Sequence, residues 1–149
     1  MSFAEPSLKA RALRLLSNRE HSRAELQRKL RRFENEPGAL DLALDELQAK
    51  GFISEQRVIE SVLHRRAASL GTARLKQELG GKGLDPQAVA TALAGLQASE
   101  AERAREVWRK KFGAPPADAQ AAAKQIRFLS ARGFRGETIR RLVKVPAST

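Results

Sequence analysis

The chain has 149 residues, of which 42% are apolar, 30% charged and 5% aromatic, and its formal net charge is +11. The length suits one compact domain or a row of small units, and the apolar content is too high for a wholly disordered chain. No apolar run approaches the roughly 18 residues of a membrane span, and we expect no secretory signal. The absence of cysteine excludes disulfides and thiolate chemistry.

Apolar residues recur at helical spacing along the whole sequence, and alternating runs of strand length are absent. The pattern therefore predicts an all-α protein of about nine helices. In chain order they are Ser7–Leu16, Arg23–Phe33, Pro37–Lys50, Glu55–Leu70, Thr72–Gly80, Pro86–Gln97, Glu100–Phe112, Ala117–Ala131 and Glu137–Lys144.

Capping residues mark several of these boundaries. Ser22 with Glu25 forms an S-x-x-E capping box, and Ser99 with Glu102 is predicted to form another. Asp85 before Pro86 is typical of an N-cap followed by the first helical residue. Three glycines each follow a basic residue at the end of an apolar-periodic run and are predicted helix C′ residues: Gly51, Gly83 and Gly133.

A repeat of 49 to 50 residues relates three parts of the chain. Three sets of apolar residues align at these offsets: Leu30, Leu79 and Leu129; Leu40, Val89 and Ile139; Leu44, Leu93 and Val143. The alignment predicts three three-helix repeats over residues 1–52, 53–98 and 99–149, in an elongated array that could curve.

The repeats differ at two positions. Glu34 stands at the turn position that glycine occupies in the later repeats. Arg135 stands where Asp85 is predicted to cap, so the last helix should have a weaker cap and fray.

Several motifs, in this order, resemble the RecX regulatory family over nearly all of residues 8–144. They are Arg19-Glu20-His21-Ser22-Arg23-Ala24-Glu25-Leu26 with Lys29-Leu30; Gly71, Leu75, Glu78-Leu79 and Lys82-Gly83-Leu84; and Lys110-Lys111-Phe112-Gly113, Phe128-Leu129 and Arg132-Gly133-Phe134. Two departures concern capping positions: the segment after Gly51 lacks the family's usual Leu-Asp-Asp, and the residue after Phe134 is not Ser.

The resemblance implies a cytoplasmic bacterial protein built from tandem three-helix repeats. It implies that the partner is the RecA recombinase filament on single-stranded DNA, in homologous recombination, DNA repair and the SOS response. It also implies that the protein restrains filament extension, ATP hydrolysis and strand exchange.

Residues for catalysis or cofactor binding are missing from the sequence. The cluster Gly80-Gly81-Lys82-Gly83 lacks the spacing and the Ser or Thr of a phosphate-binding loop. His21 adjoins Ser22, which is better explained as a cap, and His64 is expected on the surface. We expect no enzyme activity, no cofactor and no metal.

Basic residues are the strongest signal of a binding function. Residues 1–36 carry a net +4, residues 37–54 a net −2, residues 55–98 a net +2 and residues 99–149 a net +7. Such an excess favours a polyanion or an acidic protein surface as partner. The candidate contact residues are Arg19, Arg23, Arg28, Lys29, Arg31, Arg32, Arg65, Arg66, Lys76, Lys82, Arg105, Arg109, Lys110, Lys111, Lys124, Arg127, Arg132, Arg140, Arg141 and Lys144.

Helical spacing places some of these cations on one face. The like-charged pairs are Arg28 with Arg32, Arg105 with Arg109, and Arg140 with Lys144. The alternative is an ordinary solvated face, in which intrahelical ion pairs form: Glu25 with Lys29, and Glu106 with Lys110.

The aromatic residues argue against base recognition. Five of them lie on apolar periodicities and are expected in the core: Phe33, Phe52, Phe112, Phe128 and Phe134. Trp108 is expected to be buried or half-buried. DNA binding should therefore be weak, independent of sequence, and made through phosphates.

Two further hypotheses stay open from the residues alone. One is a helix-turn-helix-like DNA-binding regulator, although the predicted third helices have few basic or amide side chains at their N-terminal turns. The other is a ribosome- or RNA-associated protein, which is based on charge only. We expect a monomer.

Overall fold

The computed structural model describes residues 4–147. In this range the chain forms nine α-helices and two 3-10 turns, and no β-strand. The helices are α1 (Leu8–Asn18), α2 (Arg23–Leu30), α3 (Ala39–Ala49), α4 (Glu55–Arg66), α5 (Thr72–Gly80), α6 (Pro86–Ala94), α7 (Glu100–Lys111), α8 (Ala119–Ala131) and α9 (Gly136–Leu142), and the 3-10 turns are Arg31–Phe33 and Gln97–Ser99.

The predicted helices are all present, but several are shorter than the sequence indicated. The largest difference is in α4, which ends at Arg66 rather than Leu70. The carbonyl oxygens of Ala67 and Leu70 instead accept hydrogen bonds from the guanidinium of Arg103, the first at 2.8 Å. A side chain from a distant helix therefore satisfies carbonyl groups just beyond the end of α4, which have no partner within that helix.

The first compact unit comprises Gly80–Pro86 and the described part of Met1–Ser61. Here α1 packs against α2 and α3. Because α1 and α3 are amphipathic, their apolar stripes bury a common core. Its buried members are Ala12, Leu26, Leu30, Leu40, Leu44, Leu47 and Ile53.

The second compact unit comprises Val62–Leu79 and the described part of Gln87–Thr149. In it α7, α8 and α9 pack against one another. One cluster of its core is formed by the buried residues Ala104, Ala122, Leu129, Phe134, Ile139 and Val143.

The tandem repeat is confirmed by burial at the aligned positions. Eight of the nine aligned apolar side chains are buried: Leu30, Leu79, Leu129, Leu40, Ile139, Leu44, Leu93 and Val143. The ninth, Val89, is half-buried. Each repeat therefore has buried or half-buried side chains at the same register positions of its second and third helices.

One of the two predicted capping boxes is confirmed. The Ser22 hydroxyl accepts from the Glu25 N–H at 3.2 Å, and the Glu25 carboxylate accepts from the Ser22 N–H at 3.1 Å. The Ser99–Glu102 box is wrong. The chain enters α7 directly from a 3-10 turn, so the backbone of Ser99 is helical and its hydroxyl donates to the Leu96 carbonyl at 3.1 Å.

The predicted C′ glycines have the left-handed backbone that this position requires. Their φ angles are +84° at Gly51, +65° at Gly83 and +87° at Gly133. At Gly133 the chain closes a Schellman motif, in which the Phe134 N–H donates to the Leu129 carbonyl and the Gly133 N–H to the Ser130 carbonyl. As expected, Arg135 provides no side-chain cap to α9.

The prediction that all five phenylalanines are core residues is wrong for Phe52, whose side chain is 46% exposed. Phe52 follows the glycine that ends α3, so it leaves the helical periodicity on which the prediction depended. Phe134 is buried, and the remaining three are half-buried, as is Trp108. In the described range, every helix is too short or too polar to cross a membrane.

Candidate protein and nucleic-acid interface

In the first unit, the buried carboxylate of Glu25 forms ion pairs with two of the candidate cations. Glu25 is 7% exposed, and its oxygens lie 2.7 Å from Arg19 and 3.3 Å from Lys82. Burial alone would raise the pKa of Glu25, but the hydrogen bonds from Arg19 and the Ser22 N–H, with the charge of Lys82, lower it to about 2. Arg19 and Lys82 are therefore neutralised by a partner within the protein.

A second buried group, His21, holds Lys29. His21 is 2% exposed; its Nδ1 lies 3.0 Å from the Arg19 carbonyl and its Nε2 lies 2.9 Å from the Lys29 ammonium. Because a carbonyl only accepts and an ammonium only donates, Nδ1 carries the proton and Nε2 accepts from Lys29. Burial lowers the pKa of His21, and the nearby charges of Arg19 and Lys29 act in the same direction.

The Glu25–Lys29 intrahelical pair is therefore a wrong prediction, because each of these side chains bonds to another group. Arg23 is also paired, with its guanidinium 2.7 Å from Asp45. In the second unit Arg66 lies 3.0 Å from Glu78. These cations stabilise the fold, so fewer of them are available to a partner.

Arg28 and Arg32 do not share a helix face. Because α2 ends at Leu30, Arg32 belongs to the following 3-10 turn. Arg28 donates to the Gly81 carbonyl at 2.8 Å, whereas the guanidinium of Arg32 lies 4.6 Å from the centre of the Phe33 ring. The predicted like-charged pair is thus two separate contacts.

The structure adds two arginines that the sequence interpretation missed. Arg11 lies over the Phe33 ring at 3.8 Å from its centre, and Arg14 lies one turn further along α1. Both line a groove of about 420 Å³, here called the α1–α2 groove, which is lined by Pro6, Ala10, Arg11, Arg14, Leu15, Lys29, Leu30, Arg32 and Phe33. The spacing of Arg11 and Arg14 on one predicted helix was the available signal.

In the second unit, paired cations occupy the end of α7. Glu106 accepts from Arg109 at 2.6 Å and lies 3.9 Å from Lys110, which confirms the predicted Glu106–Lys110 pair. Lys111 and Arg132 both lie over the Phe128 ring, at 5.4 and 4.9 Å from its centre. In α9 Arg141 pairs with Glu137 at 2.8 Å.

The Arg140–Lys144 pair is not a helix-face pair, since α9 ends at Leu142 and Lys144 follows the helix. Arg65 is exposed and has an interaction partner. Seven candidates are exposed and have no ion pair, hydrogen-bond or ring partner for their side chains within residues 4–147. These free cations are Arg31, Lys76, Arg105, Lys124, Arg127, Arg140 and Lys144.

Potential metal ligands do not converge: across residues 4–147, no group of three or more His, Asp or Glu side chains could hold a metal ion.

Models of two RecX domains match the chain. The first three-helix domain of RecX matches residues 9–47, and the third three-helix domain matches residues 98–143. The regulatory protein RecX of Leptothrix cholodnii is 51% identical over 139 residues, which cover 93% of this chain and 88% of that protein. The chain belongs to the RecX family. The regulatory protein RecX of Herbaspirillum seropedicae is 52% identical over 90% of this chain and 87% of its own length.

Solved structures of RecX share the fold. The crystal structure of RecX from Lactobacillus salivarius superposes with a TM-score of 0.74 over 91% of both chains, at 20% sequence identity. Another crystal structure of a regulatory protein RecX also gives 0.74, over 91% of this chain and 70% of that one, at 18% identity. The fold of this chain is thus shared with RecX structures at 18 to 20% sequence identity.

Proposed function

We propose that this RecX-family chain is a non-enzymatic regulator, and most directly an inhibitor, of the RecA recombinase. It binds the RecA filament on single-stranded DNA and restrains filament extension, ATP hydrolysis and strand exchange. The observation that supports this proposal most is the set of free cations on a chain of net charge +11 whose relatives are named regulatory proteins.

DNA contacts in this proposal are made through phosphates. Free cations can release counterions from DNA without first breaking an internal ion pair, so they contribute more to binding than the paired cations. Lys124 and Arg127 suit this role best, because they lie three residues apart on α8 and are both exposed. Base stacking is a weak contribution in this proposal, since the chain has no tyrosine and Phe52 is the one exposed aromatic side chain within residues 4–147.

The proposed organisation has three functional repeats, over residues 1–52, 53–98 and 99–149, acting in a monomer in the cytoplasm. A row of similar repeats can contact successive, identical protomers of a filament with similar surfaces. The repeats carry different numbers of free cations, so the third repeat makes most of the phosphate contacts.

The test is binding to filaments and to bare oligo-dT, for the chain and for a double variant, Lys124→Glu with Arg127→Glu. The control is Lys9→Glu with Lys50→Glu, which changes the net charge equally at two cations beside Glu46. We expect the α8 variant to weaken both interactions at least about tenfold, and its salt slope on oligo-dT to fall by about 1.4 for two lost phosphate contacts.

Equal weakening by both double variants would show that net charge alone sets affinity, and would remove α8 from the interface. Selection from random duplex DNA separates the helix-turn-helix alternative. Because phosphate contacts do not read sequence, we expect no enriched motif, and a reproducible motif would contradict the proposal.

A further inference from the structure

The α1–α2 groove combines an apolar floor with a basic rim. Ala10, Leu15 and Leu30 form aliphatic parts of its lining. Four cations also line it: Arg11, Arg14, Lys29 and Arg32. A volume of about 420 Å³ falls in the range of sites that bind small molecules or single side chains.

The four cations are not neutralised within the protein. In residues 4–147 none of them has a carboxylate partner: Arg11 and Arg32 contact the Phe33 ring, and Lys29 contacts the neutral imidazole of His21. Among the residues that the structure describes, no acidic residue lines this groove. A neighbouring groove that shares Arg11 and Phe33 contains Glu5 and Glu36, so the acid-free surface is the part lined by Arg14, Lys29 and Arg32.

Three of these cations are held in place before any partner arrives. A guanidinium stacked on an aromatic ring keeps the N–H groups at its edge available to a carboxylate, as at Arg11 and Arg32. Lys29 is oriented by the hydrogen bond to His21 Nε2 at 2.9 Å. Prior ordering of the donors reduces the conformational entropy that binding must overcome.

The lining favours a peptide over a nucleic acid. Single-stranded nucleic acids stack their bases on open aromatic faces, but here the ring of Phe33 is already contacted by two guanidinium groups. An aliphatic floor instead accepts an apolar side chain, while the rim pairs with carboxylates on either side of it.

We propose that the α1–α2 groove binds an acidic segment of a partner protein, which inserts one large apolar side chain between α1 and α2. The inference goes beyond the proposed function, because it assigns Lys29 and Arg32 to protein rather than DNA and does not depend on the partner being RecA.

The test is selection of peptides from a random displayed library, with the full chain as bait. We expect enriched peptides with at least two Asp or Glu residues around one Leu, Ile, Met or Phe. The affinity of a synthetic enriched peptide should fall at least about tenfold in Arg32→Glu and in Arg14→Glu. Arg31→Glu is the matched control, because Arg31 is a free cation beside Arg32 that does not line the groove.

Three results would overturn the proposal. The first is a selection without acidic and apolar enrichment. The second is an equal loss of peptide affinity in Arg31→Glu and Arg32→Glu. The third is displacement of the peptide by oligo-dT, if the binding of oligo-dT itself depends on Arg32 but not on Arg31. The last result would assign the groove to nucleic acid.

Discussion

Two turns of the chain dock on an earlier helix, and they do so with different chemistry. The turn Gly81-Lys82-Gly83 lies along α2, where Arg28 in the last turn of the helix donates to the Gly81 carbonyl and Lys82 pairs with Glu25 in the first turn. The turn at residues 132–134 lies against the start of α5, where the Gly71 N–H donates to the Arg132 carbonyl at 2.8 Å. The contact of residues 81–83, in the first unit, depends on the charged side chains of Arg28 and Lys82. The contact of residues 132–134, in the second unit, is made by backbone groups.

One aligned position contributes to this difference. Ser22 in the first repeat corresponds to Gly71 in the second. Ser22 caps its own helix and allows Glu25 to complete the capping box. Gly71 has no side chain to cap with, and the Thr72 N–H is satisfied instead by Glu100 at 3.0 Å. The same fold position is thus stabilised by the titratable network of Glu25 in one unit, and by close backbone packing with a hydrogen bond to the buried Glu100 carboxylate in the other.

The largest expected effect tests the backbone contact. A Cβ at Gly71 would lie 2.3 Å from the backbone of Gly133, so Gly71→Ala must separate α5 from the turn after α8. We expect a loss of about 3 kcal/mol of unfolding free energy, measured by urea denaturation. Gly80→Ala, where a Cβ meets nothing within 4 Å, is the control and should be neutral or slightly stabilising. Equal stability of both variants would refute the close packing.

The next effect tests the titratable network. Glu25→Gln leaves Arg19 and Lys82 without their anion and should remove about 2 kcal/mol at pH 7. Because the folded-state pKa is about 2 and the ordinary value is 4.5, this contribution is complete above pH 4.5 and is lost as the pH falls towards 2. The unfolding free energies of the unmodified chain and of Glu25→Gln should therefore converge as the pH falls. A constant difference down to pH 2 would contradict the assignment.

A smaller pH effect is expected from His21. Its folded-state pKa is below the ordinary 6.5, so the unfolded chain binds the proton first and stability falls as the pH drops below 6.5. His21→Gln should flatten the dependence of the unfolding free energy on pH below about 6.5. An unchanged pH dependence in His21→Gln would exclude His21 as the titrating group.

The smallest effect concerns the cap alone. Ser22→Ala removes the hydroxyl that accepts from the Glu25 N–H and should lower the unfolding free energy by about 1 kcal/mol. Ser130→Ala, at an exposed position near the end of α8, should change it by less than about 0.5 kcal/mol. If Ser22→Ala were equally silent, the ion pairs of Glu25 rather than the capping box would hold the start of α2.

Features that depend on neighbouring residues could be predicted from the sequence. The Ser22–Glu25 box and the left-handed glycines follow from spacing of three or four residues, and the buried register follows from the repeat. The Ser99 box failed because the 3-10 turn before α7 changes the backbone on which a cap depends. The local sequence pattern therefore predicted which segments are helical better than it predicted the residues at which the helices begin and end.

The candidate site could be predicted only in part, because pairing between distant residues decides which cations are free. Lys82 and Glu25 are 57 residues apart in sequence and meet only in the folded chain. The α1–α2 groove likewise requires the packing of α1 on α2, so Arg11 and Arg14 had no signal beyond their spacing. Composition predicted a basic surface, and folding selects the residues that form it.

The most direct test of the proposed function is ATP hydrolysis by RecA from the same organism on single-stranded DNA, titrated with this chain at fixed, moderate salt. We predict that hydrolysis falls as the chain is added. A fall well below one chain per RecA protomer would indicate an effect on filament growth, and a fall only near equal amounts would indicate binding along the filament. Unchanged hydrolysis, with DNA binding retained, would contradict the proposal and leave a basic protein that binds DNA without regulating the recombinase.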